Sequence, residues 1–127
     1  MTMVSEAIVL RKQGGPETLV LESVEVLAPG PGQLLIRQSA ASVNVHDIYV
    51  RSGAYQTLPL PGIPGLEGVG RVAAVGAGVS EFAVGDRVAY IARNYGGYSR
   101  LRVLDADLAV PVAPGPTRTG TDLSIRF

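Results

Sequence analysis

The sequence predicts a mainly β fold in which short strands form a closed or partly closed barrel. Sixteen Gly and nine Pro among 127 residues indicate many turns, and the apolar stretches between them have the length of single strands. These stretches recur about every 8–12 residues, a spacing typical of barrels and sandwiches. An apolar content of 46% on a chain of this length fits one domain with a real core.

Three strands are predicted in the first third of the chain, at residues 5–11, 19–27 and 33–41. The first ends at a Gly-Gly-Pro breaker, and the second alternates apolar with polar side chains, as a half-buried strand does. A Pro-Gly-Pro-Gly turn at residues 29–32 connects the second strand to the third, because Pro fixes φ and Gly accepts positive φ. We therefore predict that this strand–turn–strand unit is an antiparallel meander.

The spacing of apolar residues becomes helical between Asn44 and Gly53, where a short helix is predicted. Val45, Ile48 and Tyr49 stand at i, i+3 and i+4, so one face of two helical turns would be apolar. Asn44 is a favourable N-cap residue and Gly53 a favourable C-terminal stop. The sequence thus predicts a two-turn helix bounded by these two residues.

A loop rich in Pro and Gly is predicted at residues 54–65, and strands resume after it. The predicted strands lie at residues 69–75, 84–91, 99–103 and 108–112. From residue 113 onward no periodicity remains, and residues 113–127 are predicted to be either a flexible tail or a single strand without an obvious partner.

Composition excludes several classes of function. Eleven basic residues balance eleven acidic ones, and the arginines are scattered singly, which argues against nucleic acid as a partner. The chain has no cysteine, so disulfides, thiolate catalysis and cysteine-bound zinc are excluded. No apolar run approaches the ~18 residues of a membrane span, and the N-terminus lacks the pattern of a signal peptide. We predict a soluble cytoplasmic protein.

A glycine motif at residues 68–73 matches the dinucleotide fingerprint G-x-G-x-x-A, with Asp86 near the offset expected for the acidic residue. That fingerprint requires a strand before it and a helix after it, because the helix N-terminus holds the pyrophosphate. Here a proline-rich loop precedes the motif and a Gly-Ala-Gly stretch follows. We interpret the glycines as the entrance of a strand.

Metal binding is not predicted, because His46 is the only histidine and no ligand spacing surrounds it. A Ser–His–Asp triad would have to use the same histidine and has no nucleophile elbow. Asp47 and Glu67 leave two interpretations open. They form a carboxylate pair, or Glu67 holds backbone N–H groups of a glycine-rich turn.

The stretch at residues 44–55 carries the most chemistry in the chain. Asn44, Asp47, Tyr49, Arg51 and Tyr55 place an amide, a carboxylate, two phenols and a guanidinium on one helix and its exit loop. Such groups orient a polar ligand and polarise a carbonyl. The alternative is that Tyr49 belongs to the core and that Asp47 and Arg51, at i and i+4, form an exposed ion pair. Spacing alone favours this alternative.

Several motifs, in order along residues 6–112, resemble the zinc-independent quinone oxidoreductase branch of the medium-chain dehydrogenases/reductases. The resemblance is to the N-terminal, GroES-like catalytic domain, a mainly β, partly open barrel with one or two short helices. The matching stretches are GGPE at 14–17, PGPGQLLIR at 29–37, N-x-x-D-x-Y-x-R-x-G-x-Y at 44–55, PG-x-EG at 64–68 with Gly70, VG-x-GV at 75–79 and VGDRVAY at 84–90.

The resemblance also implies roles for residues. Zinc alcohol dehydrogenases have Cys and His where this chain has Asn44 and Leu66, so no zinc is expected. The implied reaction is metal-independent hydride transfer from NADPH to a quinone or another conjugated carbonyl. Asn44 would face the nicotinamide, Tyr49 and Tyr55 would line the cleft near the substrate carbonyl, and His46 receives no role. Supporting positions in the cleft wall would be taken by Asp47, Arg51 and Glu67.

The implied domain organisation is a GroES-like domain at residues 1–112 followed by 15 residues, 113–127, that do not resemble the family. Family members continue into a Rossmann domain, so we expect a truncated enzyme that is inactive alone, with a homodimer left open. One alternative is a non-enzymatic barrel module that binds a protein partner through its open cleft. Another is an enoyl-reductase relative with a bulkier acyl substrate.

Overall fold

The computed structural model describes residues 2–92, 94–113 and 125–126. These residues form eight strands, one α-helix and two single 3₁₀ turns, at Pro16–Thr18 and Ala106–Leu108. The strands and the helix, in chain order, are β1 Thr2–Leu10, β2 Leu19–Leu27, β3 Gln33–Ala41, α1 Val45–Ser52, β4 Glu67–Val75, β5 Arg87–Ile91, β6 Leu101–Asp105, β7 Ala109–Pro111 and β8 Ile125–Arg126.

The strands form two antiparallel sheets that do not close on each other. β1 and β2 form a two-stranded ribbon, and the larger sheet has the order β6-β3-β4-β5-β7, with β8 also paired to β3. Single bridges from Ala7 to Ser99 and from Leu10 to Gly62 attach the ribbon to the rest of the chain. The predicted mainly β, GroES-like partly open barrel is confirmed.

The predicted meander of the second and third strands is wrong. β2 pairs with β1 over its whole length, while β3 pairs with β4 on one edge and β6 on the other. The turn between β2 and β3 explains the difference, because its backbone is bound elsewhere. The N–H of Gly32 donates to the carbonyl of Ala77 at 2.9 Å, and the Gly32 carbonyl accepts from Ala106 at 2.9 Å. These two hydrogen bonds therefore hold the beginning of β3 in place between β4 and β6.

The core lies on both faces of β3. Leu34 and Ile36 pack with side chains of β4, β5 and β6, while Leu35, between them, packs on the opposite face under the ribbon. All three are essentially fully buried. A strand that is buried on both faces reads as a continuous apolar run, as residues 34–36 do.

The other predicted elements are found with shifted bounds. α1 begins after Asn44 and ends before Gly53, whose φ of +94° is left-handed, as predicted. β5 begins at Arg87 because the preceding residues form a turn in which Asp86 donates its N–H to the Ala83 carbonyl at 3.1 Å. In the predicted tail, residue 113 and Ile125–Arg126 are described, the latter as a strand paired with β3. The remainder of the predicted tail after residue 113 lies outside the described residues.

Candidate functional site

The ends of β3 and β4 and the start of α1 meet at Glu67. Ala41 of β3 pairs with Gly68 of β4, which places Ser42 beside Glu67. Ser42 Oγ donates a hydrogen bond to the Glu67 carboxylate, and Asn44 Nδ2 donates to the same oxygen, Oε2, at 3.2 Å. Glu67 thus receives side-chain donors, and the interpretation that it holds backbone N–H groups of a turn is wrong.

Asp47 is buried beneath the first turn of α1. Its Oδ2 accepts the N–H of Asn44 at 3.0 Å and the phenol of Tyr98 at 2.7 Å. Arg51 donates to the Gly14 carbonyl at 3.2 Å instead. The exposed Asp47–Arg51 pair is therefore wrong, because the carboxylate turns inward to cap the helix. Asp47 and Glu67 accept hydrogen bonds from different donor atoms. Asn44 contacts both, because its backbone N–H donates to Asp47 and its side-chain amide donates to Glu67.

Two phenols have a perturbed acidity. Burial raises the pKa of Tyr98 above its usual range, and the hydrogen bond to the Asp47 carboxylate raises it further. Burial also raises the pKa of Tyr90, which the nearby Arg102 partly offsets. Both phenols stay protonated in the folded chain at pH values where tyrosines of the unfolded chain ionise.

The fold should therefore lose stability in alkali. Because the folded pKa is raised, the stabilisation is complete below the unfolded value of about 10 and is lost as pH rises through the folded value. We expect the free energy of unfolding, from urea denaturation, to be flat between about pH 7 and 9 and to fall above about pH 10 by up to ~1.4 kcal/mol per pH unit for each phenol.

Tyr98→Phe separates the contribution of this phenol. The variant should be less stable at about pH 8 by ~1–3 kcal/mol, since Asp47 loses a donor, yet its stability should decline less steeply above about pH 10. A variant with an unchanged alkaline slope would show that Tyr98 ionises as freely in the fold as in the unfolded chain.

Tyr49, on α1, and Tyr55, in the loop that follows it, lie on the surface. Each is 43% exposed, and their rings meet edge to face with centroids 5.1 Å apart. The interpretation of Tyr49 as a core residue is wrong, because the single buried apolar residue of α1 is Val50. The structure thus brings together the two phenols that the sequence analysis singled out.

His46 extends this pair into an aromatic cluster of Tyr49, Tyr55, His46 and Tyr95. The imidazole lies 5.2 Å from the Tyr55 ring and 5.9 Å from the Tyr95 ring, centroid to centroid. Its Nε2 is 2.9 Å from the Tyr95 hydroxyl, which is 2.6 Å from Thr57 Oγ1. Tyr95 and Thr57 were not predicted, since 49 residues separate His46 from Tyr95 and no sequence spacing relates them.

Two clefts of about 590 and 570 Å³ run along the ribbon. Both are lined by Val24, Ile63, Tyr95 and Gly96, so they adjoin at the aromatic cluster. Asn44 and the two exposed phenols line neither cleft. Tyr95 is thus the member of the cluster that connects it to the concave surface.

The glycine motif at residues 68–73 offers no phosphate site. It lies within β4, where a Cβ on Gly68 would meet Gln38 Oε1, and one on Gly70 would meet the Arg37 carbonyl at 2.3 Å. The glycines allow strands to approach closely, which confirms their interpretation as strand residues. The half-buried Asn44 amide, which the resemblance assigns to the nicotinamide end of a cofactor, donates to Glu67, so the carboxylate fixes its orientation.

Metal-binding clusters and membrane-spanning helices are both absent from the part of the chain that the structure describes. No group of three or more His, Cys, Asp or Glu is arranged to hold a metal ion. Among the same residues, no helix has the length and apolar character needed to cross a membrane.

Comparison with known proteins places this geometry in context. Residues 30–114 match the model of the alcohol dehydrogenase GroES-like domain family. A quinone oxidoreductase of Pseudomonas aeruginosa is 44% identical over 105 residues, which is 80% of this chain and 31% of that protein. The chain spans about a third of the length of the first curated relatives that it matches.

Solved structures give the same result. The quinone oxidoreductase of Pseudomonas syringae pv. tomato DC3000 superposes with a TM-score of 0.83 at 41% identity, covering 89% of this chain and 35% of that one. The Escherichia coli quinone oxidoreductase complexed with NADPH superposes with a TM-score of 0.74 at 37% identity, covering 84% and 33%.

Proposed function

We propose that this chain, which belongs to the alcohol dehydrogenase GroES-like domain family, is the substrate-side domain of a cytoplasmic reductase that transfers hydride from NADPH to a quinone or another conjugated carbonyl. The observation that carries the proposal is the pair of exposed phenols, Tyr49 and Tyr55, on and just after the helix that begins at Asn44, whose amide is fixed by Glu67. The similarity to quinone oxidoreductases, one of them complexed with NADPH, supports the substrate class and the cofactor.

The roles follow from hydrogen-bonding chemistry. A bound NADPH would supply the hydride, and negative charge would then develop on the substrate oxygen. Tyr49 and Tyr55 donate hydrogen bonds to that oxygen, as preorganised donors do in other reductive and acyl-transfer sites. Asn44, held by Glu67 and Ser42, orients the nicotinamide carboxamide. Asp47 and Arg51 fix α1 from below, which keeps the phenols in place.

The donor set also supports a metal-independent reaction. Asn44 offers an amide, and Leu66 offers no donor atom, at the two positions where the resemblance places zinc ligands in other branches. Zinc in proteins is bound by thiolate, imidazole and carboxylate groups. Hydrogen-bond donors must then supply the charge stabilisation that a Lewis acid supplies elsewhere.

A domain-exchange experiment tests the proposal. Residues 1–112 would replace the corresponding domain of the Pseudomonas aeruginosa quinone oxidoreductase, with the parent enzyme as the control. We expect the chimera to bind NADPH in a fluorescence titration and to oxidise it when a quinone is added. We expect residues 1–127 alone to show no saturable binding at about millimolar NADPH, because the resemblance assigns only the nicotinamide end of the cofactor to this domain.

Tyr55→Phe in the chimera tests the phenols directly. We expect kcat to fall by about 10²-fold with little change in NADPH affinity, since removal of one preorganised donor costs about that much. A chimera that folds and binds NADPH but reduces no quinone or enone would contradict the proposed substrate class. Turnover by residues 1–127 alone would contradict the need for a second domain.

A further inference from the structure

Three polar groups from three separate segments form a continuous hydrogen-bonded line. Thr57 Oγ1, in the loop after α1, is 2.6 Å from the Tyr95 hydroxyl, which is 2.9 Å from Nε2 of His46 on α1. Thr57 is exposed, while Tyr95 and His46 are half-buried. The line therefore leads inward from solvent to the imidazole. Each of its groups can both accept and donate a proton.

The inner end of the line lies at the proposed substrate site. His46 stands two residues after Asn44, and its ring contacts the Tyr55 ring at 5.2 Å. Nε2 is occupied by Tyr95, whereas Nδ1 has no hydrogen-bond partner among the residues that the structure describes. If Tyr95 donates to Nε2, the neutral imidazole carries its proton on Nδ1, where no group of the described residues accepts it.

We propose that His46 is a further catalytic residue, which protonates the reduced substrate, and that Tyr95 and Thr57 return the proton to it. The inference rests on the proposed function, because hydride addition to a quinone or enone leaves an oxygen anion that must take up a proton. The Nδ1–H bond of His46 breaks as the substrate O–H bond forms. Nε2 takes the proton of the Tyr95 hydroxyl, that oxygen takes the proton of Thr57, and a solvent water reprotonates Thr57 and becomes hydroxide. Before the next turnover a second water protonates Nδ1, and the Nε2 proton returns through Tyr95 and Thr57 to solvent hydroxide, which restores the starting tautomer.

A purely structural role makes different predictions. The same hydrogen bonds hold α1 to the loops that carry Tyr95 and Thr57. If that is their only role, breaking them lowers the stability of the fold and leaves kcat unchanged. The relay instead requires that the neutral imidazole of His46 carry its proton on Nδ1. It also requires that this proton be transferred to the substrate during turnover. NMR measures the first of these properties, and steady-state kinetics measures the second.

The tautomer is measured by ¹⁵N NMR on residues 1–127, without any cofactor. The chain has one histidine, so every imidazole signal belongs to His46. At about pH 9 we expect the proton on Nδ1, and we expect Tyr95→Phe to shift the Nε2 resonance far more than the Nδ1 resonance. We expect Thr57→Val, which removes the partner of the Tyr95 hydroxyl, also to shift the Nε2 resonance. Its matched control Thr2→Val, at an exposed threonine on β1, should shift neither resonance. A proton found on Nε2 would overturn the relay.

Kinetics in the chimera complete the test. We expect His46→Ala and Tyr95→Phe each to lower kcat by about 10²-fold with NADPH affinity retained, a usual contribution of general acid catalysis. Added imidazole should restore part of the turnover of His46→Ala, which a lost structural contact would not allow. A chimera that fails to turn over in every form contradicts the proposed function. One in which His46→Ala turns over like the parent chimera, or is not rescued by imidazole, contradicts the relay alone.

Discussion

Gly70→Ala is expected to lower the free energy of unfolding by about 3 kcal/mol. A Cβ at this position would lie 2.3 Å from the Arg37 carbonyl oxygen and 2.8 Å from the Gln38 Cα. Both are backbone atoms of β3, so relief requires β3 and β4 to move apart in the middle of the larger sheet. Urea denaturation followed by tyrosine fluorescence and far-ultraviolet circular dichroism measures the loss.

Gly78→Ala is the matched control. Gly78 has a φ of +80° and open space around the position of a Cβ, so the variant carries only the strain of left-handed backbone. That strain costs about 1 kcal/mol. If the two variants lose the same stability, the close approach of β3 and β4 does not limit this position, and the glycine motif needs another explanation.

Asp47→Ala is expected to cost about 3 kcal/mol as well. The substitution removes the acceptor of the Tyr98 phenol and of the Asn44 N–H, and each donor left without a partner in the interior costs about 1–3 kcal/mol. It also removes the cap from the first turn of α1. Urea denaturation at about pH 8 measures the change, and far-ultraviolet circular dichroism shows whether the helix remains.

Asp47→Asn provides the contrast. An amide oxygen can still accept from Tyr98 and from Asn44, and the substitution replaces Oδ1, which is buried without a partner among the described residues. We expect the asparagine variant to lose less than half of what the alanine variant loses. Equal losses would mean that the negative charge, and not the accepted hydrogen bonds, stabilises this corner of the fold.

Local signals in the sequence predicted the local structure well. Asn44 and Gly53 bound α1 because capping and left-handed φ are properties of single residues, and the sequence carries them directly. The bounds of β2 and β3 were also predictable, since breakers flank each strand. The pairing of β2 with β1 was not, because it depends on where the backbone of Gly32 finds partners 45 and 74 residues later.

The residues of the candidate site were likewise predictable only in part. The resemblance singled out Tyr49 and Tyr55, and both are exposed as a ligand site requires. Helical spacing gave the wrong account of Asp47, because an i, i+4 pair says nothing about a phenol 51 residues away that draws the carboxylate inward. Tyr95 reaches His46 only through the folded sheet, so residue type and spacing gave no means of finding it.

The central position of β3 has a consequence for how the chain is made. β3 lies early in the sequence. The strand that pairs with one of its edges, β6, is complete only at Asp105, 72 residues after Gln33. During synthesis, a nascent chain therefore presents an apolar strand with an unpaired edge until β6 has left the ribosome. Such long-range closure is slow and leaves time for association with other chains. The yield of folded protein should thus depend on chaperones that shield β3 in the interval.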